Sequence, residues 1–278
     1  MSSEELLFLD SHAAERILSA YNDGSTEVEV SLDLGVTTRR IRLANQPWNR
    51  DQLEKICQDE ESVYFVNDEG LFKAALSGKH FYKLMPVVRN QAPALQIDGI
   101  LMHRVKDTTP LDDASMKAKL CAREGIDMLE ICTGLGYASI ACLQKGVRSI
   151  VTIEKDADVL KLARLNPWSR RLFSDERVTI INADATQEIE TIADRSFHAA
   201  MHDPPWFSMA PELYTTEFYI HLYRVLRRNG TLLHYVGSPN SKHWKIGLQR
   251  GIMKRLRDAG FSTVTREEGV QSVLAFKR

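Results

Sequence analysis

With 278 residues, 44% hydrophobic and 26% charged, the chain can bury one large core or two modest ones, and two domains are expected. Its formal charge of -1 conceals an asymmetry: residues 1–110 carry 12 Lys/Arg against 17 Asp/Glu, residues 111–278 carry 24 against 20. No apolar run approaches a membrane span, Met1-Ser-Ser-Glu-Glu5 lacks the charge pattern of a signal peptide, and Cys57, Cys121, Cys132 and Cys142 show neither C-x-x-C nor zinc-like spacing, so a reduced cytoplasmic chain without metal is expected.

Leu6, Leu9, Ala13, Ile17 and Ala20 fall at helical spacing, which predicts a short helix or two helical turns over 6–20, with Asp10 and Ser11 as caps. From Glu27 the period changes to two, V-E-V-S-L-D-L before Gly35 and V-T-T-R-R-I-R-L after it, and predicts a β-hairpin. Pro47-Trp48-Asn49 opens a break before a helix at Arg50–Gln58. Ser62–Val66 and Leu71–Leu76, around Asn67-Asp-Glu-Gly70, then read as a second hairpin. Ala94–Ile97 and Ile100–Met102 flank Asp98-Gly99, a favoured hairpin turn. Residues 1–106 are therefore expected to form a small β-rich domain. His80, Tyr82, His103 and Arg104 are candidates for a cleft, but polar residues at strand ends are more often simply solvated.

A second domain is expected over 107–278. Thr109 and Pro110 suit an N-cap and first helical position, and Gly125 suits the end of that helix. Strands are then predicted at Ile126–Thr133, Ser149–Glu154, Val178–Asn182, Phe197–His202 and Thr231–Tyr235, separated by helices at Tyr137–Lys145, Asp156–Leu165 and Pro211–Arg228. A helix at Trp244–Ala259 and two strands, Phe261–Arg266 and Ser272–Lys277, follow. Alternation of strand and helix with short connections argues a mainly parallel sheet covered on both faces. The first four strands deliver polar groups at their carboxyl ends: Glu130 to Gly136, Glu154, Asp184, and Asp203-Pro204-Pro205-Trp206.

In that order these residues resemble motifs I to IV of class I S-adenosylmethionine-dependent methyltransferases. The D-P-P-aromatic signature is similar to that of enzymes that methylate exocyclic amino groups of nucleobases, and the whole chain resembles a predicted archaeal RNA methyltransferase family. The resemblance implies an α/β, Rossmann-like seven-stranded sheet ending in an antiparallel hairpin, beside the smaller N-terminal β-rich domain. It also implies S-adenosylmethionine as cofactor. Thr133, Gly134 and Gly136 would lie near its methionine portion, Glu154 at the ribose hydroxyls, and Asp184 with Ala185 at the adenine; Glu130 would orient the loop or reach the ammonium group. Cys132 stands where the family has its first glycine, which predicts a looser turn.

Asp203 and the Pro204 carbonyl would accept the N–H protons of a base amino group, whose nitrogen lone pair is otherwise delocalised into the ring. The two prolines stiffen that turn, and Trp206 offers a stacking surface. Lys242, Lys245, Arg250, Lys254 and Arg257 form a basic stripe opposite the apolar Leu248, Ile252, Leu256 and Ala259, in a stretch without acids from Ser238 to Arg257. An RNA backbone, ribosomal or transfer, is the expected partner, and an ordinary solvated helix face is the competing reading. Two other functions stay open. Leu213–Tyr219 is similar to a helix of spermidine synthases, which use decarboxylated S-adenosylmethionine and carry an N-terminal β domain, although their first loop is richer in glycine and their catalytic loop carries spaced aspartates. A cofactor-binding scaffold for a partner enzyme is the third.

Overall fold

The computed structural model describes residues 6–237 and 242–278, with side chains described for 6–237 and 247–278. The chain divides into two units, residues 1–110 with 158–170, and residues 111–157 with 171–278.

In the first unit β1 (Leu7–Leu9) precedes α1 (Ser11–Asn22), so the expected helical run begins later than its apolar spacing suggests. The reason is local. Asp10 is the N-cap, extended at φ -115° and ψ 178°, and its carboxylate accepts the Ala13 N–H at 2.8 Å, which leaves the preceding residues in strand geometry. The predicted hairpin is β2 (Glu27–Val30) with β3 (Arg39–Arg42), and α2 (Arg50–Cys57) opens with a capping box between Asn49 and Gln52. β4 (Tyr64–Asn67) pairs with both β1 and β5 (Gly70–Lys73). The run expected to continue to Leu76 breaks at buried Ala74, whose N–H donates to Val63 while its carbonyl accepts from Leu84. Beyond it, β6 (Ala75–Ser77) changes partner to β7 (Phe81–Met85), followed by β8 (Ala94–Ile97) and β9 (Ile100–Leu101). Leu9, Ile17, Trp48, Leu53 and Ile56 are buried together. Trp168, in the 158–170 segment, donates its indole N–H to the Leu34 carbonyl at 3.0 Å.

The second unit is built on α3 (Pro110–Cys121), β10 (Asp127–Ile131), α4 (Tyr137–Gln144), β11 (Ser149–Glu154), α5 (Ala157–Leu165, most of which groups with the first unit) and α6 (Arg170–Ser174). It continues through β12 (Val178–Asn182), α7 (Ala185–Thr191), β13 (Phe197–His202), α8 (Thr216–Val225), β14 (Leu226–Tyr235), α9 (Lys242–Asp258), β15 (Thr263–Glu267) and β16 (Ser272–Phe276). The sheet has seven strands in the order β12-β11-β10-β13-β14-β16-β15, with β16 antiparallel to both neighbours, as the methyltransferase resemblance implies. The chain winds outward from β10 in one direction and restarts with β13 in the other, so the topological switch lies between these two parallel strands.

The helix expected over Pro211–Arg228 is shorter. A single 3-10 turn spans Pro211–Tyr214, and α8 starts after Thr215, whose hydroxyl accepts the Phe218 N–H at 3.1 Å. From Leu226 the chain is already strand. Lys277, near the chain end, donates to the carbonyls of Tyr223 at 2.6 Å and Leu226 at 2.7 Å, satisfying acceptors that a longer helix would otherwise use. Leu129, Ile131, Ala200, Tyr219, Leu222, Leu232, Ile252, Leu256 and Val273 share the core of this unit.

Candidate active site

The loop after β10 is set by backbone conformation. Cys132, Gly134 and Gly136 all have positive φ, at 71°, 55° and 75°. Cys132 therefore adopts the left-handed geometry that usually favours glycine. A side chain there costs on the order of 1–2 kcal/mol in backbone strain. Replacing Cys132 by glycine is expected to change stability by less than about 1 kcal/mol, since relieved strain offsets added chain entropy. Valine is expected to cost about 2 kcal/mol or more, because β-branched residues fit this region poorly. Urea unfolding of the two variants checks both; equal losses would show that the backbone at 132 is not the constraint. At Gly136 a Cβ would lie 2.4 Å from Leu172, so packing also requires glycine. At Gly134 a Cβ would meet nothing within 4 Å, so the loop backbone there faces open space.

Three hydroxyls and two carboxylates pin this loop. Glu130 is buried, and its carboxylate accepts hydrogen bonds from Ser139 and Thr152, each at 2.5 Å. Thr152 lies 2.6 Å from the Thr133 hydroxyl. Burial pushes the Glu130 carboxyl up to about 7. Of the two expectations for this residue, loop orientation is the one its contacts serve. Glu154 is buried at the end of β11 and accepts the backbone N–H groups of Gly134 and Asp156, one on each oxygen, both at 3.0 Å. Desolvation raises its pKa. A carboxylate can accept about four hydrogen bonds, so beside its backbone donors the residue retains capacity to accept from a ribose hydroxyl.

Asp184 caps α7, accepting the Thr186 N–H at 2.9 Å and its hydroxyl at 2.7 Å, and it pairs with Lys155 at 2.6 Å. Burial opposes its charge, but Lys155 and Thr186 outweigh that and hold its pKa below the usual carboxylate range. Ala185 beside it is buried. The strand-end groups that fit the expected cofactor are the acceptors on Glu154, the carboxylate at Asp184 and the open space beside Gly134, whereas the N–H groups of Thr133, Gly134 and Gly136 already donate to Ile153, Glu154 and Thr133.

Across the switch point, the Asp203 N–H donates to the Ile131 carbonyl at 3.2 Å, tying the D-P-P turn to the strand that carries the glycine loop. The Tyr214 hydroxyl donates to the Pro205 carbonyl at 2.7 Å, whereas no described group donates to the carbonyl of buried Pro204. Phe207 stacks edge-on against Tyr214 at 5.3 Å, and Trp206 is 52% exposed. The sequence reading missed Lys117. This buried residue of α3 reaches Asp203 at 2.7 Å and Asp113 at 2.9 Å, with its ammonium 4.3 Å from the centre of the Tyr235 ring. Burial works against its charge, yet Asp203 and Asp113 outweigh it and hold the pKa well above the ordinary lysine value. The legible signal was a charged pair at i and i+4 on the same helical stripe as Ala114, Ala118 and Cys121, all buried.

The basic stripe divides. Lys242 and Lys245 have side chains outside the described residues. Arg250, Lys254 and Arg257 are exposed, opposite buried Ile252, Leu256 and Ala259, but Lys254 pairs with Asp258 at 2.7 Å. α9 leaves the carboxyl edge of β14 and returns to the start of β15, which is parallel to β14. At ~1.5 Å per residue, Arg257 lies about 22 Å along the helix axis from Lys242.

The chain is 39% identical to the uncharacterized protein MJ1233 of Methanocaldococcus jannaschii, over 97% of this chain and 95% of that protein. It is 27% identical over 153 residues to the polyamine aminopropyltransferase of Sulfolobus acidocaldarius, a match that spans 53% of this chain and about half, 51%, of that enzyme. A spermidine synthase crystallised with the transition-state analogue AdoDATO shares the fold, with a TM-score of 0.60 over 73% of each chain at 18% identity. Spermidine synthase from Thermotoga maritima gives 0.55 at 19% identity over 73% of this chain and 71% of that one. Comparison with protein-family models finds no match. No described helix is long and apolar enough to cross a membrane.

Proposed function

Because the chain belongs to the family of Methanocaldococcus jannaschii MJ1233 and has the fold shared by S-adenosylmethionine methyltransferases and spermidine synthases, we propose that it is an N-methyltransferase acting on the exocyclic amino group of a nucleobase in RNA, with cytosine of ribosomal RNA or guanine of transfer RNA as candidate targets. The observation that carries this reading is the division of labour in the D-P-P turn. The Pro205 carbonyl is taken by Tyr214, which fixes the turn, while the Pro204 carbonyl has no described donor and Asp203, paired with Lys117 through Oδ2, keeps its other carboxylate oxygen as an acceptor.

S-adenosylmethionine supplies an electrophilic methyl group on a sulfonium. Glu154, Asp184 and the Thr133–Gly136 backbone bind and orient it. Asp203 and Pro204 accept the two N–H protons of the acceptor amine, drawing its nitrogen toward a tetrahedral shape with the lone pair freed for attack. Trp206 covers the base by stacking, worth about 1–3 kcal/mol per base in single-strand binding.

Aminopropyl transfer from decarboxylated S-adenosylmethionine is the second reading, favoured by the similarity to the Sulfolobus aminopropyltransferase. Both reactions move an alkyl group from a sulfonium to an amine, and they differ in whether the donor carries a carboxylate. Calorimetric titration with each donor separates them. A preference for S-adenosylmethionine is expected, and Glu154→Ala is expected to weaken binding of either donor by about 10- to 100-fold, because the ribose that loses its charge-assisted acceptors is common to both. Tighter binding of the decarboxylated donor would overturn methyl transfer; binding of neither would overturn both.

A further inference from the structure

The ion cluster beneath the D-P-P turn bears on which amine the site accepts. Lys117 makes both of its carboxylate contacts through Oδ2 atoms, at 2.9 Å from Asp113 and 2.7 Å from Asp203. Its side chain is 6% exposed, whereas that of Asp203 is 26% exposed, so the aspartate is covered by the lysine on one side and open on the other. The Tyr235 ring closes over the ammonium at 4.3 Å. A helix segment with no place in the four motifs thus supplies a counter-ion that the one carboxylate of the turn shares with Asp113.

That counter-ion acts differently on two kinds of amine. An ammonium substrate needs a carboxylate whose charge is not already balanced, because its own desolvation is repaid only by a strong ion pair. An uncharged aromatic amino group needs an oriented oxygen acceptor, which a lysine-paired carboxylate still provides through its remaining lone pairs. Resting on the reading of Asp203 as the group that faces the acceptor amine, we propose that Lys117 is a specificity-determining residue: shared with Asp113, it offsets the charge of Asp203 from behind without cancelling that of the cluster, favours a neutral amino group at the turn and weakens the binding of polyammonium substrates. A polyamine entering the wild-type site meets one aspartate already paired and a buried cation within reach of it.

The test uses the full chain and spermidine as probe, titrated calorimetrically at low salt, where charge effects are least screened. Wild type is expected to bind spermidine no better than millimolar, and Lys117→Met at least 10-fold more tightly. Lys117→Arg, which keeps the cation, should stay at the wild-type level. Since Lys117→Met leaves two buried carboxylates facing each other, the paired variant Asp113→Asn/Lys117→Met provides a second route to an unbalanced Asp203 with less strain on folding. Adding Asp203→Asn to either variant should remove the gain. Tight spermidine binding by wild type, or no gain in a folded variant lacking Lys117, would overturn the proposal. The donor titration reads the opposite side of the site, so a wrong choice of donor and a wrong role for Lys117 give separable results.

Discussion

Asp203→Ala is expected to lower the rate of methyl transfer by about 10³-fold while leaving S-adenosylmethionine affinity within about threefold. The rate effect follows from removing an acceptor that strengthens as the amine nitrogen becomes tetrahedral and its protons more acidic, a contribution typically of 10²–10⁴. The affinity effect is small because the cofactor groups lie on or just after β10, β11 and β12, whereas Asp203 follows β13 and, among the described residues, hydrogen-bonds only to Ile131 and Lys117. Asn at this position keeps an acceptor oxygen and should retain about ten times more activity than Ala. The measurement is transfer of a labelled methyl group to RNA from cells lacking the protein, with donor affinity measured separately. A loss confined to donor affinity would place Asp203 in cofactor binding and remove it from the chemistry.

Much of the second unit was legible because its signals are short-range. Val178–Asn182 and Phe197–His202 are strands with the predicted bounds, since uninterrupted β-branched and apolar runs between polar turns leave little choice. The antiparallel β15–β16 hairpin is likewise present. The errors have long-range causes. Leu7–Leu9 has apolar spacing compatible with a helix, but β4 offers it a partner more than fifty residues away. Leu226–Arg228 reads as the end of a helix until Lys277, from the other end of the unit, captures the carbonyls there.

The site shows the same division. Glu130, Glu154, Asp184 and Asp203 are visible in sequence because each ends a strand, and the fold places all strand ends of a parallel sheet along one edge. Lys117 is not visible in this way. Its importance comes from an ion pair across 86 positions of sequence, and pattern alone gives only a buried charge on a helical stripe. Cys132 is an intermediate case: the sequence shows a departure from glycine, and only the backbone shows that the residue there takes a left-handed conformation.

A second large effect concerns acid stability. Directly behind Asp203, His202 is fully buried, donates through Nε2 to the Leu213 carbonyl at 2.9 Å, and has an Nδ1 without a described partner. It stacks at 4.3 Å on His234, whose Nδ1 faces the His202 carbonyl at 3.3 Å, leaving Nε2 to accept from the Tyr219 hydroxyl at 2.9 Å. Burial lowers the pKa of both rings, His202 to about 4 and His234 well below its ordinary value, so both are neutral in the folded protein at neutral pH. Below the unfolded value of about 6.5 the unfolded chain takes up protons that the folded one refuses. Stability carried by His202 is therefore present above pH ~6.5 and lost progressively down to pH ~4, at about 1.4 kcal/mol per pH unit, or roughly 3 kcal/mol in all. Glu130 works in the opposite sense, since its raised pKa makes folding take up a proton as pH falls through about 7. The whole-protein profile thus mixes the two, and the clean measurement is a difference. His202→Gln is expected to be less stable than wild type at pH 7, with the gap closing by about 3 kcal/mol by pH 4 in urea titrations, because only wild type loses the His202 contribution. A gap that stayed constant would mean that His202 is protonated without penalty, and that the wall behind the D-P-P turn is not the dry, neutral one its burial implies.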